Sequence, residues 1–279
     1  MQEGKLVKHS SELGVDELVE IAEGISYETP KRIREATAIV IMAVLTVAAT
    51  YGLYLHMEIE RAPAMLVAVF TGIMIADFIS GLVHWTLDSW GSIETPLVGR
   101  SLMIPFREHH IDPTAFTRRD FLVTWGDVSI PCAVAMAIPV TVLYTFSPES
   151  IKLLYDFIIV FVVAAAVACS NNQTHKWAHT HRGLPGWIKW LQKMHIVLPI
   201  EHHHIHHQPP HMIKYCIITG WANYPLDFID FWRKLEWLIE SITGWKPRQD
   251  DMKWSKKKKR FLQMENELSE RLIRENKLE

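Results

Sequence analysis

Four apolar stretches constrain the fold of this chain more than any other feature of its sequence. They cover residues 36–54, 62–83, 128–146 and 153–169. An α-helix needs about 20 consecutive apolar residues to cross the hydrocarbon core of a bilayer, and each stretch reaches or approaches that length. Two prolines interrupt the third stretch, which membrane helices tolerate when neighbouring groups satisfy the freed carbonyls. We therefore expect an all-α integral membrane protein built on a four-helix bundle.

Four spans would place both ends of the chain on the same side of the membrane. Basic residues flank the spans on that side, and they are Lys31, Arg32, Arg34, Arg107, Arg118 and Arg119. The two short loops on the opposite side carry only Arg61 and Lys152. By the positive-inside rule, both termini and the loop between the second and third spans are expected in the cytosol. All histidines except His56 then lie on the cytosolic side, where they can share a site.

Three segments follow from this pattern. Residues 1–30 are mixed and charged without the apolar stretch of a secretory signal, so we expect a cytosolic N-terminal segment. Residues 31–254 form the membrane domain, and residues 255–279 form a charged, helical tail near anionic lipid. Amphipathic stretches of the membrane domain are expected to lie in the headgroup layer at four tryptophans, Trp187, Trp190, Trp232 and Trp237.

Several classes of protein are disfavoured by composition. Cys132, Cys169 and Cys216 are scattered without a C-x-x-C pair, which argues against a disulfide scaffold, a zinc ribbon or an iron–sulfur cluster. A formal charge of −2 gives no reason to expect a nucleic-acid partner. The sequence contains no G-x-G-x-x-G and no glycine-rich phosphate loop, so we expect no nucleotide or flavin site of a standard kind.

Polar residues follow one helical face at the end of the second span. Asp77, Gly81, His84 and Asp88 are spaced at offsets of 0, 4, 7 and 11 residues. A carboxylate inside a span is costly unless it faces the bundle interior with a partner. Asp77 therefore belongs either to a polar stripe that descends from the cytosolic mouth or to a single hydrogen bond between helices. For His84 we favour a functional role.

Two further histidine groups come from the loop and from the end of the fourth span. The loop reads PFREHHIDPTAF, with His109 and His110 adjacent. After the fourth span, NNQTHKWAHTH places His175 and His179 at i and i+4, the spacing by which two imidazoles of one helix reach one metal ion. Asn171 lies one turn before His175 and is a candidate for a weak oxygen ligand or for holding a metal-bound water.

The densest group is the stretch EHHHIHH at residues 201–207. His203, His206 and His207 form an H-x-x-H-H pattern, with His202 and His204 as additional imidazoles. Neutral imidazole binds iron, zinc, copper and nickel, and this many imidazoles exceed the need of one tetrahedral ion. A solvated or metal-buffering tract would be confined to one loop, whereas these groups occupy four separate segments. The pattern favours two metal ions.

Two iron ions at the mouth of a membrane bundle suggest activation of dioxygen for attack on an unactivated carbon. A site at the membrane boundary admits an acyl or alkyl chain from the bilayer, so the expected substrate is a lipid. Because no flavin or nicotinamide site is visible, electrons would come from a partner on the cytosolic face. A small acidic haem protein would suit the basic residues Arg107 and Arg118 and residues 256–260.

The motifs resemble those of one family in order and in their neighbouring residues. They are HWTLDSWG (84–91), PFREHHIDPTAFTRRDF (105–121), NNQTHKWAHT (171–180), HIVLP with EHHHIHH (195–207), TGWANYPLD (219–227) and KPRQDDMKW (246–254). Over residues 27–254 the chain resembles the plasmanylethanolamine desaturases, the Kua-type lipid desaturases.

This resemblance implies an enzyme of the endoplasmic reticulum membrane that desaturates the alkyl chain of an ether phospholipid beside the ether oxygen. The product would be the vinyl ether of a plasmalogen, with dioxygen as co-substrate and cytochrome b5 and its NADH-dependent reductase as electron source. The metal-binding histidines of the family would fall on His84, His109, His110, His175, His179, His202, His203, His206 and His207. Asp88 and Asn171 are the candidate catalytic residues beside them.

The chain departs from the family pattern at three places. Arg119 stands where a histidine is expected, Trp125 and Val128 replace asparagines, and Ile200 with Glu201 replaces a basic pair. None of these changes removes a predicted ligand, so we expect them to alter the recognition of the headgroup or of the partner.

Three other functions remain open from the sequence. They are a desaturase acting on an acyl chain of phosphatidylglycerol, a sterol-type hydroxylase that uses similar iron chemistry, and a divalent-metal transporter. A transporter needs ligands near the middle of the bilayer, and only Asp77 is expected there. Analysis of the products separates the two enzymes from the proposed desaturase.

Overall fold

The structure is a computed structural model that describes residues 29–91, 95–96, 99, 103, 106, 109–110, 112–208 and 211–248. Within these residues it is helical and contains no β-strand, so the prediction of an all-α fold is confirmed. The expectations for residues 1–28, for Arg107 and for the tail at 255–279 fall outside the described residues.

Four long helices form the bundle. They are α1 (Thr29–Leu55), α2 (Ala62–Ser89), α3 (Phe121–Thr145) and α4 (Pro148–Cys169). All four are long and apolar enough to cross a membrane, which confirms the prediction of a bundle with four such helices. Each predicted stretch lies within one helix, apart from Phe146, which caps α3. Helix α3 continues through Pro131 and Pro139.

Short helices form a cap at the end of the bundle where α2 ends and α3 begins. They are α5 (Asn171–His179), α6 (Gly186–Lys193), α7 (Ile200–His206), α8 (Asn223–Phe228) and α9 (Phe231–Thr243). Two 3-10 turns, Ile59–Arg61 and Ala115–Arg118, precede α2 and α3. The cap carries most of the histidines, so its attachment to the bundle decides how they meet.

Close helix contacts set the geometry of the bundle. Helix α1 packs along α3, α2 packs along α4, and α3 also contacts α4. Gly72 permits a close approach of α2 and α4, because a Cβ atom there would lie 2.8 Å from the carbonyl oxygen of Val160. Small residues at helix crossings are typical of membrane bundles, where association depends on close packing.

Ion pairs close the end of the bundle opposite the cap. Arg61 contacts the carboxylate of Asp156 at 2.5 Å, and Lys152 contacts that of Glu58 at 2.6 Å. The surface between this end and the cap exposes large apolar side chains such as Val47, Leu66 and Leu153. These charges therefore mark one edge of the membrane-facing surface, and the cap marks the other.

Tryptophans of the cap have two different roles. Trp232 is buried and packs against Phe78 and Trp85 of α2, so its interpretation as a headgroup-layer residue is wrong. It lies on the inner face of α9, which attaches the cap to α2. Trp187 and Trp237 are exposed, as the amphipathic pattern predicts.

Candidate metal centre

Two groups of ligand atoms converge inside the cap. In each group the atoms lie within 4.8 Å of one another. The first, which we call the five-histidine cluster, consists of His109, His175, His179, His203 and His207. The second, which we call the Asp88 cluster, consists of His84, Asp88, His110 and His206.

Helical spacing assembles both clusters. His84 and Asp88 lie one turn apart near the end of α2, and His175 and His179 lie one turn apart in α5. Helix α7 contributes histidines to both clusters: His203 belongs to the first cluster and His206 to the second. Side chains three or four residues apart share a helix face, so each helix aims its histidines in one direction.

The adjacent pair His109 and His110 divides between the clusters. His109 joins the five-histidine cluster and His110 joins the Asp88 cluster. Their ring centroids are 4.3 Å apart. The two clusters are therefore neighbours that share one loop and one helix, an arrangement suited to two metal ions side by side.

More ring nitrogens of the five-histidine cluster surround one nitrogen than hydrogen bonding can explain. Nε2 of His203 lies 2.9 Å from Nε2 of His175 and 3.0 Å from Nε2 of both His179 and His207. A neutral imidazole carries one ring proton, so this nitrogen cannot form three hydrogen bonds to other ring nitrogens. Lone pairs that converge on one point are better explained by coordination of a metal ion than by hydrogen bonds between the rings.

A carboxylate holds the second cluster together. Oδ2 of Asp88 lies 3.1 Å from Nε2 of His110, 3.2 Å from Nε2 of His84 and 3.4 Å from Nε2 of His206. Oδ1 of Asp88 and Nε2 of both His84 and His206 are buried without a hydrogen-bond partner among the described residues. Buried polar atoms are normally satisfied, so these atoms fit ligands of a cation.

Backbone carbonyls orient two of these rings. Nδ1 of His84 lies 3.1 Å from the carbonyl oxygen of Tyr215, and Nδ1 of His206 lies 2.8 Å from that of Ile213. Since a carbonyl can only accept, the ring proton is on Nδ1 and the lone pair of Nε2 faces Asp88. Metal-binding histidines usually have their second nitrogen held in this way.

An ion pair fixes the segment that supplies both carbonyls. Lys214 lies between Ile213 and Tyr215, and its Nζ contacts Oδ2 of Asp227 at 3.1 Å. The backbone of Lys214 has a φ of 62°, in the left-handed region. This conformation is uncommon for a residue with a side chain, and it is held here by the contacts on either side.

Burial favours the neutral form of four imidazoles in the five-histidine cluster. It lowers the pKa of His179 to about 3, with neighbouring histidines as a further cause. It also lowers the pKa of His109, His175 and His203 well below the ordinary value of a histidine. Neutral imidazole is the form that binds metal, so these rings are ready for ligation at neutral pH.

A buried ion pair, which the sequence did not reveal, braces the end of α2. Arg248 donates from both terminal nitrogens to the carboxylate of Glu236, each at 2.8 Å, and to Oγ of Ser89 at 2.8 Å. Trp85 donates to the same carboxylate at 3.1 Å. Glu236 lies one turn after Trp232 on the inner face of α9. This spacing from a buried tryptophan is the signal that would have predicted a buried Glu236.

The structure brings together Asp88 and eight of the nine histidines predicted to bind metal. His202 is the exception, because its Nε2 accepts from the side-chain amide of Asn223 at 3.1 Å and lies outside both clusters. Burial lowers the pKa of His202 to about 4. Asn171 begins α5, and its Oδ1 is buried without a hydrogen-bond partner among the described residues. Its catalytic role stays a prediction.

Four helices that could span a membrane, capped by converging histidines that could hold metal, define a class of membrane proteins with a candidate metal centre. Residues 73–250 match the model of the lipid desaturase domain. The chain belongs to the lipid desaturase family.

Curated relatives cover most of the chain. It is 45% identical to plasmanylethanolamine desaturase 1 of Mus musculus over 234 residues, which is 83% of this chain and 85% of that protein. It is 39% identical to plasmanylethanolamine desaturase of Myxococcus xanthus over 237 residues, 83% of this chain and 79% of that protein.

A plant relative is more distant. Fatty acid desaturase 4, chloroplastic, of Arabidopsis thaliana is 31% identical over 194 residues, which is 69% of this chain and 56% of that protein. No solved structure matches the chain.

Proposed function

We propose that this chain is a membrane desaturase that introduces the vinyl ether double bond into the alkyl chain of plasmanylethanolamine. The product is a plasmalogen. The observation that carries the proposal is the pair of adjacent clusters at the mouth of the bundle, in a chain that matches two plasmanylethanolamine desaturases over 83% of its length. The names of these relatives supply the substrate, and the clusters supply the chemistry.

The depth of the clusters supports reaction beside the ether oxygen. At 1.5 Å per residue, His84 lies roughly 33 Å along α2 from Ala62. The hydrocarbon core of a bilayer is about 30 Å thick, and the charged residues before Ala62 mark its opposite edge. His84 is then just beyond the core, at the level of the glycerol backbone. The carbons next to the ether oxygen lie at that level, whereas mid-chain carbons lie deeper.

The two clusters fit two iron ions. The five-histidine cluster would hold one ion, and His84, His110 and His206 with Asp88 would hold the other. Imidazole with one carboxylate suits iron and other first-row transition metals. Bound iron would activate dioxygen and provide the oxidant that removes hydrogen from carbon.

Aromatic side chains exclude water from this region. The ring of Phe116 lies 4.7 Å from that of His175, and the ring of Phe106 lies 5.7 Å from that of His84, measured between centroids. Apolar walls reduce the access of water to a reactive centre. Asn171 lies one turn before His175 in α5 and is proposed to hold a water close to it.

The balance of the reaction requires an electron donor. Desaturation removes two hydrogen atoms from adjacent carbons, and reducing dioxygen to two waters needs two further electrons and two protons. We propose cytochrome b5 and its NADH-dependent reductase as the source, with the enzyme in the endoplasmic reticulum membrane and both termini in the cytosol. The cap would face the cytosol, where such a donor docks.

Expression in cells that lack plasmalogens but accumulate the alkyl-ether precursor tests this function. The variants are the intact chain, His175→Ala in the five-histidine cluster, and His204→Ala as the control. His204 is exposed on α7 and lies outside both clusters. We expect vinyl-ether phospholipids with the intact chain and with His204→Ala, and none with His175→Ala.

Lipid analysis of the same cells separates the alternatives. A new double bond in an acyl chain, without vinyl ethers, would contradict the ether-lipid assignment and favour the activity named for the plant relative. A hydroxylated sterol would favour the hydroxylase. Unchanged lipids in cells that contain folded, iron-loaded protein would refute the desaturase in this setting.

A further inference from the structure

A non-helical segment descends along α2 from the metal centre toward the bilayer. The carbonyl of Tyr215 contacts His84, and the amide of Ile217 donates to Oγ of Ser80 at 3.0 Å. The ring of Trp221 then stacks on Phe70 at 6.0 Å between centroids. Later residues of the segment thus contact earlier residues of α2, and the segment runs downward beside the helix.

The carboxylate of Asp77 binds the backbone in the middle of this segment. Its Oδ1 accepts from the amides of Ile218, Thr219 and Gly220 at 2.9–3.1 Å, and its Oδ2 accepts from that of Ala222 at 3.0 Å. Of the two interpretations of Asp77 from the sequence, the single hydrogen bond between helices is wrong, and Asp77 is buried on the same helix as His84 and Asp88. The carboxylate holds backbone from a distant part of the chain.

This anchor lies at hydrocarbon depth. Asp77 is roughly 22 Å along α2 from Ala62, inside a core of about 30 Å. Phe70 lies deeper still, roughly 12 Å from Ala62. The segment therefore carries irregular backbone below the level of the metal centre and past the edge of the hydrocarbon.

Every amide of residues 216–222 has an acceptor, as this depth requires. Beyond the five amides already described, the amide of Cys216 donates to Oδ1 of Asn223 at 2.8 Å, and that of Trp221 donates to Oγ1 of Thr219 at 3.1 Å. Irregular backbone occurs at membrane depth only where its polar groups are satisfied by protein or line a cavity. A segment exposed to water would not need a protein acceptor for every amide, because water can accept these hydrogen bonds.

The outer surface of the segment and of the helix after it is apolar. Phe228 at the end of α8 is 90% exposed, and Tyr224 and Ile229 are also exposed. The neighbouring loop adds exposed Ile196, and its residue His195 accepts from Nε1 of Trp221 through its carbonyl at 2.7 Å. This surface continues the apolar face of the spans through the stack of Trp221 on Phe70.

We infer that residues 215–229 form a re-entrant element that inserts into the leaflet on the cap side, with Phe228 among the lipid tails. The occupant of the exposed surface is the hydrocarbon of that leaflet. Its apolar residues continue the lipid-facing surface of α2, and its backbone is satisfied internally. The element links lipid directly to the carbonyl that orients His84.

Depth-dependent fluorescence quenching tests the element in the full-length protein. A cysteine at Phe228 is labelled with an environment-sensitive fluorophore, and the protein is reconstituted into phosphatidylcholine vesicles. Val47→Cys on the exposed face of α1 is the control for lipid. Lys246→Cys is the control for water, because Lys246 is exposed and lies two residues before Arg248, which contacts Ser89 at the end of α2. The unsubstituted protein is the labelling blank, because Cys132, Cys169 and Cys216 are buried.

We expect nitroxide-labelled lipids to quench the label at position 228 as they quench the label at Val47. Aqueous iodide is expected to quench only the label at position 246. Quenching by iodide at position 228 would refute insertion. Protection from both quenchers would also refute it, because protein would then cover the surface. If Phe228→Cys loses the metal content of the unsubstituted protein, Ile229→Cys replaces it with the same criteria.

Discussion

Oδ2 of Asp88 lies 3.2 Å from Nε2 of His84, one turn earlier in the same helix. The proton on Nδ1 of His84 is directed at a backbone carbonyl, so the nitrogen facing the carboxylate carries a lone pair. Two groups that both offer electron pairs at this distance repel unless a cation joins them. The pair is thus better explained as ligands of one ion than as a hydrogen bond.

Asp88→Asn tests this interpretation with little change in shape. The substitution removes the negative charge of the Asp88 cluster, so we expect metal affinity there to fall by at least about 10–100-fold, the loss typical of even an indirect metal partner. Iron per folded chain should drop to about half, and vinyl-ether formation should stop. Iron is measured by mass spectrometry on purified protein. Full iron content with normal activity would show that the carboxylate is not a ligand.

The contact between His202 and Asn223 separates two adjacent histidines by role. His203 belongs to the five-histidine cluster, whereas His202 accepts from the amide of Asn223. We expect His203→Ala to lose metal. His202→Ala should keep metal and lower the free energy of unfolding by about 1 kcal/mol, the usual contribution of one hydrogen bond. Iron content and a thermal melt of each variant decide this. Iron loss from His202→Ala would show that His202 is a ligand, as the family resemblance implies.

Sequence patterns sufficed for elements whose signal is local. Four apolar runs identified the spans, and the i, i+4 spacing of His175 and His179 placed both on one face of α5. In α7, residues at i, i+3 and i+4 share a face, which is why His203, His206 and His207 point inward. His202 lies about 100° away around the helix from His203 and belongs to neither cluster, so its role as a ligand stays a prediction.

The same patterns could not predict contacts between residues that lie far apart in the sequence. The division of His109 and His110 between two clusters depends on a loop turn that no periodicity specifies. Asp77 looked like a functional or helix-pairing residue because its partners, the amides of residues 218–222, lie far away in sequence. Nothing local to Glu236 or Arg248 predicted that they would meet beside Ser89.

Acid should destabilise the metal-free protein. Burial lowers the pKa of His179 to about 3 and that of His203 well below its ordinary value. Between those values and about 6.5, the unfolded chain binds more protons than the folded one, so the free energy of unfolding falls as pH decreases through this window. Removal of metal isolates this effect from competition between protons and metal.

Thermal melts of the metal-stripped protein check the prediction. The melting temperature should be lower near pH 5.5 than near pH 7.5, and the difference should shrink in His179→Gln, which lacks one titrating ring. Equal melting temperatures at both values would mean that the buried imidazoles do not control acid stability.

The ion pair between Arg248 and Glu236 gives the last prediction, because it braces the turn that carries Asp88. Removing one partner of a buried pair leaves a charge without compensation, which costs about 3–5 kcal/mol. Arg248→Met should therefore lower stability strongly, whereas the double variant Arg248→Met with Glu236→Gln should recover much of it. A double-mutant cycle on thermal melts measures the coupling. Equal losses in the single and double variants would show that Arg248 stabilises α2 through Ser89 instead, to which it also donates from its side chain and backbone.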